Sequence, residues 1–306
     1  IVGNGSGVLF ALNQNSGTAV WSFSNPTGVP FEQVEMLQSF GNSEKVIATT
    51  TTGQVYALDP ENGNELWNYD TGGISVAKPL HIFNAEDGIE SVIAIQQDGT
   101  MFRIATDDGT VLWSRQLPQP TAVFGSPSIL DDDTTNQTRF FVPSANRRVY
   151  YVTIATGDVD WFIDTQGSMR SSISSRILDT DVAIAMDDEG NVYQMDMVSF
   201  GAIAWTYSVE QGAGFLNSPV LAGNRNFEVD GIPRDLRRVY VKSGTTLYGI
   251  NMDGELGSQF LFNTNNSGED GGFIAPVMGS PMVLDVDTSD GTIKELHFPA
   301  HIDNLF

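Results

Sequence analysis

All five tryptophans of the 306-residue chain sit in one recurring phrase. An aromatic-x-aliphatic run is followed, about eleven residues on, by Gly-x-x-x-Trp. The phrase runs from Val8-Leu9-Phe10-Ala11-Leu12 to Gly17 and Trp21, then from Val55-Tyr56-Ala57-Leu58 to Gly63 and Trp67. It recurs from Met101-Phe102-Arg103-Ile104 to Gly109 and Trp113, with looser copies ending at Gly157/Trp161 and Gly201/Trp205. The steps between tryptophans are 46, 46, 48 and 44 residues. A period in that range signals a repeat architecture and limits the chain to folds that stack one supersecondary unit many times.

Each copy holds two short runs of period-two alternation around a turn such as Asp59-Pro60-Glu61-Asn62-Gly63, which predicts a β-hairpin. Two further strand-like runs lie upstream, several of them opened by Ser-Pro or Lys-Pro: Lys78-Pro79, Ser126-Pro127, Ser218-Pro219 and Ser280-Pro281. Proline suits the first residue of a strand, where no ladder donor is lost. Four strands in one period make a β-propeller blade. The expected fold is therefore all-β, a β-propeller of about seven four-stranded blades, with eight possible, and one domain over 1–306. In it Trp21, Trp67, Trp113, Trp161 and Trp205 are structural, each filling the wedge between neighbouring blades. Burying one such ring contributes about 2–3 kcal/mol.

The sixth copy departs from the pattern. It offers Phe260 where a tryptophan is expected, the step lengthens to 55 residues, and 223–237 reads as an insertion. The chain opens at Ile1-Val2-Gly3 already inside a repeat and stops inside a seventh copy, so trimming of a longer chain at both ends is expected.

A net charge of −23 with only four lysines repels nucleic-acid backbones and anionic lipid, so neither is expected as a partner. No run of eighteen apolar residues predicts a membrane span. Cysteine is absent, which removes disulfides and thiolate metal sites. Arg147-Arg148 and the arginines of 234–238 are basic islands in this acidic background, read as hairpin charges or as docking points.

The run from Val55 to Trp67, V-Y-A-L-D-x-x-x-G-x-x-x-W, resembles the repeat of pyrroloquinoline-quinone-type propellers, and the resemblance spans nearly the whole chain. That family implies the propeller fold. It includes quinone-dependent dehydrogenases and also cofactor-free, BamB-like scaffolds. In the alcohol-oxidising branch the quinone is clamped between a tryptophan and a disulfide of adjacent cysteines, and here there is no cysteine. The sugar-oxidising branch implies a catalytic histidine; the three histidines are His81, on an expected strand, and His297 and His301, flanking Pro299. No catalytic residue and no cofactor are therefore expected, and the quinone is disfavoured.

Asp285, Asp287 and Asp290 resemble the start of a D-x-D-x-D-G calcium loop, alternate oxygen ligands on a tight turn being what Ca²⁺ requires. The third Asp comes one position late and Leu296 stands where a bidentate Glu belongs, so a solvated acidic turn is the competing reading. Asp131-Asp132-Asp133 holds the matching place of an earlier repeat. For partner binding the insertion is the expected surface, through Arg225, Phe227, Arg234, Leu236 and Arg237, a mixture of arginine and apolar side chains typical of interface anchors. A long hairpin packed on its own blade is the alternative. The sequence thus predicts a non-catalytic, extracytoplasmic scaffold that binds protein partners in a larger, membrane-associated assembly. A calcium-binding adhesion propeller and a quinone-dependent oxidoreductase are the alternatives.

Overall fold

In the computed structural model, residues 1–37, 44–83, 85–119, 122–129, 138–175, 182–196, 202–209, 218–222, 227–229, 232–234, 238–243, 246–252, 254–261, 282–288 and 291–297 are described. The chain falls into two compact units, Ile1–Phe162 and Ile163–Phe306.

In the first unit β1 (Val2–Gly3), β2 (Val8–Leu12) and β3 (Ala19–Ser24) form one antiparallel sheet. The next is the four-stranded meander β4 (Phe31–Leu37), β5 (Lys45–Thr50), β6 (Gln54–Leu58) and β7 (Glu65–Asp70). A third follows the same order through β8 (Leu80–Ile82), β9 (Ser91–Ile95), β10 (Thr100–Ala105) and β11 (Val111–Gln116). The fourth contains β12 (Arg139–Ser144), β13 (Arg148–Thr153) and β14 (Val159–Asp164). Its first strand is reduced to a single bridge, Ser128 to Phe141, one residue after Pro127.

The second unit continues with β15 (Ser174–Ser175), β16 (Val182–Met186), β17 (Asn191–Asp196) and β18 (Ala202–Ser208). After β19 (Val220–Ala222) the insertion forms its own hairpin, β20 (Phe227–Val229) with β21 (Ile232–Arg234). The sheet of β19 is then completed by β22 (Arg238–Ser243), β23 (Thr246–Asn251) and β24 (Leu256–Leu261). A last antiparallel pair is formed by β25 (Met282–Thr288) and β26 (Gly291–His297). Pro79 and Pro219 each immediately precede a first strand, and Pro281 lies outside the described residues. No helix among the described residues is long and apolar enough to cross a membrane.

Both faces of β5, β6 and β9 are almost entirely buried, as stacked sheets require. Alternate side chains are shared between two neighbouring sheets. From β5, Val46 and Ala48 join Leu9 and Trp21 of the sheet before, whereas Ile47 joins Val92 and Phe102 of the sheet after. From β9, Val92 and Ala94 face back, and Ile93 and Ile95 face forward onto Phe140 and Tyr150. In the second unit Ile184 and Val192 meet Val239, Val241 and Tyr248 in the same way. The core is thus a succession of inter-sheet layers. The fourth strand β7 carries a wet face: Trp67 is buried between exposed Leu66 and Asn68.

Candidate functional site

The turn between third and fourth strands recurs with one geometry. In the second sheet Gly63 N donates to Asp59 O, Asp59 N donates to Asn64 O, and the Asp59 carboxylate accepts from Glu61 N. The glycine takes a left-handed backbone, φ +74 at Gly63, +76 at Gly109 and +74 at Gly157, which a side chain resists.

That glycine has a second task. The indole of the preceding repeat lies on it. A Cβ on Gly63 would stand 2.5 Å from Trp21 Cε3, one on Gly109 2.9 Å from Trp67, one on Gly157 2.7 Å from Trp113, and one on Gly254 2.8 Å from Trp205. Each ring also donates its Nε1–H into the same next repeat: Trp21 to Pro60 O, Trp67 to Thr106 O, Trp113 to Ile154 O and Trp205 to Met252 O, at 2.8, 2.8, 2.8 and 3.0 Å. Tryptophan suits the place because it couples a large apolar face to one donor. Trp161 stacks on Tyr151 of its own sheet, ring centroids 3.3 Å apart.

The sixth repeat is where sequence alignment erred. Phe260 faces Leu247 in the ladder. Trp21, Trp67, Trp113 and Trp205 lie opposite the last residue before a register shift, Ala11, Ala57, Arg103 and Gln194. The corresponding residue of β23 is Gly249, and Ser258 is its partner. Ser258 is also four residues beyond Gly254, the glycine that seats Trp205. The aromatic was matched by residue type, whereas the register follows the glycine.

A second set of contacts joins repeats at the opposite end of the strands. The turns between second and third strands receive the preceding repeat's loop through Thr51 N to Pro30 O, Gln97 N to Ile74 O, Ala145 N to Ala122 O and Asp188 N to Ser168 O. Asp187, 2% exposed, accepts from Gly167 N, Glu189 N, Asn191 N, Asn191 Nδ2 and Tyr193 Oη. Tyr193 Oη in turn accepts from Gln166 N at 2.9 Å. Burial first, then the Asp187 hydrogen bond, pushes the Tyr193 phenol well above the ordinary tyrosine range.

Arg103, 1% exposed, lies opposite Trp113. It donates from Nη1 and Nη2 to the two Asp87 carboxylate oxygens, at 2.6 and 2.9 Å, and from Nε to Ser91 Oγ. Its Nη1 also reaches Ile154 O, the carbonyl that accepts from Trp113. The Arg103 hydrogen bonds hold the Asp87 carboxyl below the usual carboxylate range. Arg103 thus ties the Asp87–Ser91 segment to its strand and touches the next sheet at Ile154 O.

The sequence candidates fall as follows. Asp285 and Asp287 lie within β25, opposite Lys294 and Thr292, while Asp290 and Asp131-Asp132-Asp133 lie outside the described residues. Among the described residues no group of three His, Asp or Glu side chains is gathered for a metal ion. Phe227 pairs with Arg234 across the insertion hairpin; Arg225, Leu236 and Arg237 lie outside the described residues. His81 Nε2 is 2.7 Å from Glu90 Oε1, His297 pairs with Met282 in β26, and His301 lies outside the described residues.

Of the basic islands, Arg147-Arg148 lies among the described residues. The place held by Gly53, Gly99 and Gly190 in the turns between second and third strands is held by Arg147 between β12 and β13, at φ +66. Gln119, at φ +63, is the other non-glycine residue with left-handed backbone among the described residues. Arg148 Nη1 donates to Gln119 Oε1 at 3.4 Å, so the two strained segments meet. Aligning the turns on their glycines would have found Arg147; nothing local marks Gln119.

The family model of outer membrane protein assembly factor BamB matches residues 5–195. No curated protein matches the sequence. Among solved structures, BamB from Moraxella catarrhalis aligns with a TM-score of 0.66 at 19% identity, over 97% of this chain and 80% of that one. Sqt1 of Saccharomyces cerevisiae aligns at 0.61 and 14% identity, over 85% and 68%. The computationally designed Ika8 protein aligns at 0.62 and 14%, over 97% and 79%. Such identities speak for the fold, which is a β-propeller of PQQ-like repeats. By its repeats and by a family match over most of its length, the chain belongs to the family of outer membrane protein assembly factor BamB.

Proposed function

We propose that the protein is a non-catalytic propeller scaffold that binds other proteins within a larger, membrane-associated assembly outside the cytoplasm. The observation that carries this reading is the BamB family match over residues 5–195, a stretch that includes the first four tryptophans. The joints support it. The indoles of Trp21, Trp67, Trp113 and Trp205 lie on glycines of the next repeat and donate into it, so these four rings hold sheets together and are not free to floor a planar redox ligand. Asp187 and Arg103, two of the buried charged residues, have their hydrogen-bonding capacity taken up by neighbouring segments, and a third, Lys45, pairs with Asp107. Fold alone does not assign an activity, and the commitment of these groups to joints is what favours a scaffold over a redox enzyme.

Cross-linking in the native source followed by identification of the captured proteins tests the scaffold. Reproducible capture of one set of partners is the expected result, and no capture is the refuting one. Melting the protein against calcium and against pyrroloquinoline quinone tests the competing readings, because a ligand that binds the native state raises Tm as its concentration passes Kd. No shift is expected with either. A saturable rise with calcium would restore Asp285, Asp287 and Asp290 as ligands, and one with the quinone would return the protein to the dehydrogenases.

A further inference from the structure

The turn between β12 and β13 carries a surface that the fold does not require. Its sister turns close with Gly53, Gly99 and Gly190, at φ +84, +87 and +87, whereas this one closes with Arg147 at φ +66. A Cβ in left-handed backbone crowds the following carbonyl, so glycine is the residue that stability favours there. Strain of this kind persists where the surroundings hold it and points towards a use for the side chain. The surroundings do hold it. Tyr150 Oη donates to Pro118 O at 3.0 Å and accepts from Asn146 Nδ2 at 2.5 Å, which ties the 118–119 segment to the turn.

What this frame presents is basic and aromatic. Arg147 is exposed and makes no hydrogen bond or ion pair with a described residue. Beside it the Arg148 guanidinium lies 3.9 Å from the centre of the Phe162 ring, and Phe162 is 43% exposed. Gln119 adds an amide at the edge. In a chain of 38 acidic and 15 basic residues, two adjacent arginines beside a partly exposed ring stand out.

We propose that Arg147, the Arg148–Phe162 plate and Gln119 dock an acidic segment of a partner protein, one that interleaves carboxylates with aliphatic side chains. The proposal rests on the scaffold reading and adds its surface and its partner's chemistry. Guanidinium pairs with carboxylate through parallel charge-assisted bonds. The stacked ring gives an apolar floor that a bare anion cannot use. The protein's net charge opposes any anion at long range, but at physiological salt screening acts over about 8 Å, which leaves local pairing to decide. An anionic membrane gains the pairing without the apolar contact and meets the same overall repulsion.

The test is fluorescence anisotropy with the full chain at about 150 mM salt. The probe is a labelled octapeptide alternating Asp and Leu; an Asn–Leu octapeptide and phosphatidylserine vesicles serve as comparators. The expected result is saturable binding of the Asp–Leu peptide alone. Arg147→Gly, which restores the sister-turn backbone, should weaken it by about tenfold or more, the loss of one charge-assisted contact, with Tm equal or higher. Arg147→Asn, also tolerant of left-handed backbone, repeats the measurement should the glycine variant fold poorly. No binding by the natural chain, an unchanged Kd in both variants, equal binding of the Asn–Leu peptide, or preference for vesicles would each overturn the proposal. Cross-linking separates the two levels. Partners captured equally by the natural chain and by Arg147→Gly refute this surface and leave the scaffold standing, whereas no partners with the natural chain refute the scaffold itself.

Discussion

Gly17 and Gly63 occupy the same place in successive repeats and share a left-handed backbone, φ +68 and +74, yet differ in what lies over them. A Cβ on Gly17 meets nothing within 4 Å, and a Cβ on Gly63 meets Trp21 at 2.5 Å. Gly17→Ala therefore carries only the dihedral cost, about 1–2 kcal/mol. Gly63→Ala carries that cost and also displaces an indole that is 8% exposed and bonded to Pro60 O. Losing the bond costs about 1 kcal/mol, and partial exposure of the ring about 1–2 kcal/mol. The total is about 3–5 kcal/mol, so the two variants should differ by about 2–3 kcal/mol. With an unfolding entropy of about 2 cal/mol/K per residue, that difference is about 3–5 °C in Tm for a chain this long. Urea midpoints with unchanged m provide the free-energy measurement. A double-mutant cycle isolates the contact, because in a Trp21→Ala background Gly63→Ala should cost no more than Gly17→Ala. Equal costs for the two glycines, or an extra cost that survives removal of Trp21, would refute the seat.

Other perturbations have equally definite outcomes. Asp87→Asn leaves the buried Arg103 with a neutral partner and should cost about 2–3 kcal/mol in urea unfolding, toward the low end for a broken buried pair because Asp87 is partly exposed. The Asp87 pKa is lowered in the folded state, so its contribution is present above about pH 4, its unfolded range, and is lost as pH falls through the folded value. Asp87→Asn should accordingly flatten the acid limb of the stability profile. Tyr193→Phe removes a donor to buried Asp187 and an acceptor for Gln166 N, at a cost of about 1–3 kcal/mol by chemical denaturation. The Tyr193 pKa is raised, so its contribution is present below about pH 10 and is lost as pH rises towards the folded value; the alkaline slope should shrink in the variant. Arg147→Gly should leave Tm unchanged or raise stability by up to about 1 kcal/mol, and a clear loss would mean that the arginine side chain supports the turn.

Much of the fold is written in the repeat itself. The period, the hairpin turns and the strands around each Gly-x-x-x-Trp are local matters, set by residues a few positions apart. Asp59 and Gly63 dictate their turn whatever lies nearby, because the carboxylate caps backbone amides and glycine accepts φ +74. The acidity and the missing cysteines were equally plain. Tertiary structure alone decided which void each side chain fills. Trp21 acts 39 residues from Pro60, Trp205 acts 47 from Met252, and no local preference encodes such a pairing. Nothing in the run of β5 says which neighbour each side chain meets; both of its faces are covered, since what decides burial is the sheet stacked on each side. Phe260 looked like the sixth tryptophan by chemistry, and ladder register gave that place to Ser258. Arg147-Arg148 stood out by charge in the sequence, but only the fold shows the Arg147 backbone in the conformation that its sister turns give to glycine. Local sequence sets what a segment prefers; stacking of sheets brings distant segments together and so determines which preference is met, which is strained and which side chain is left facing outward.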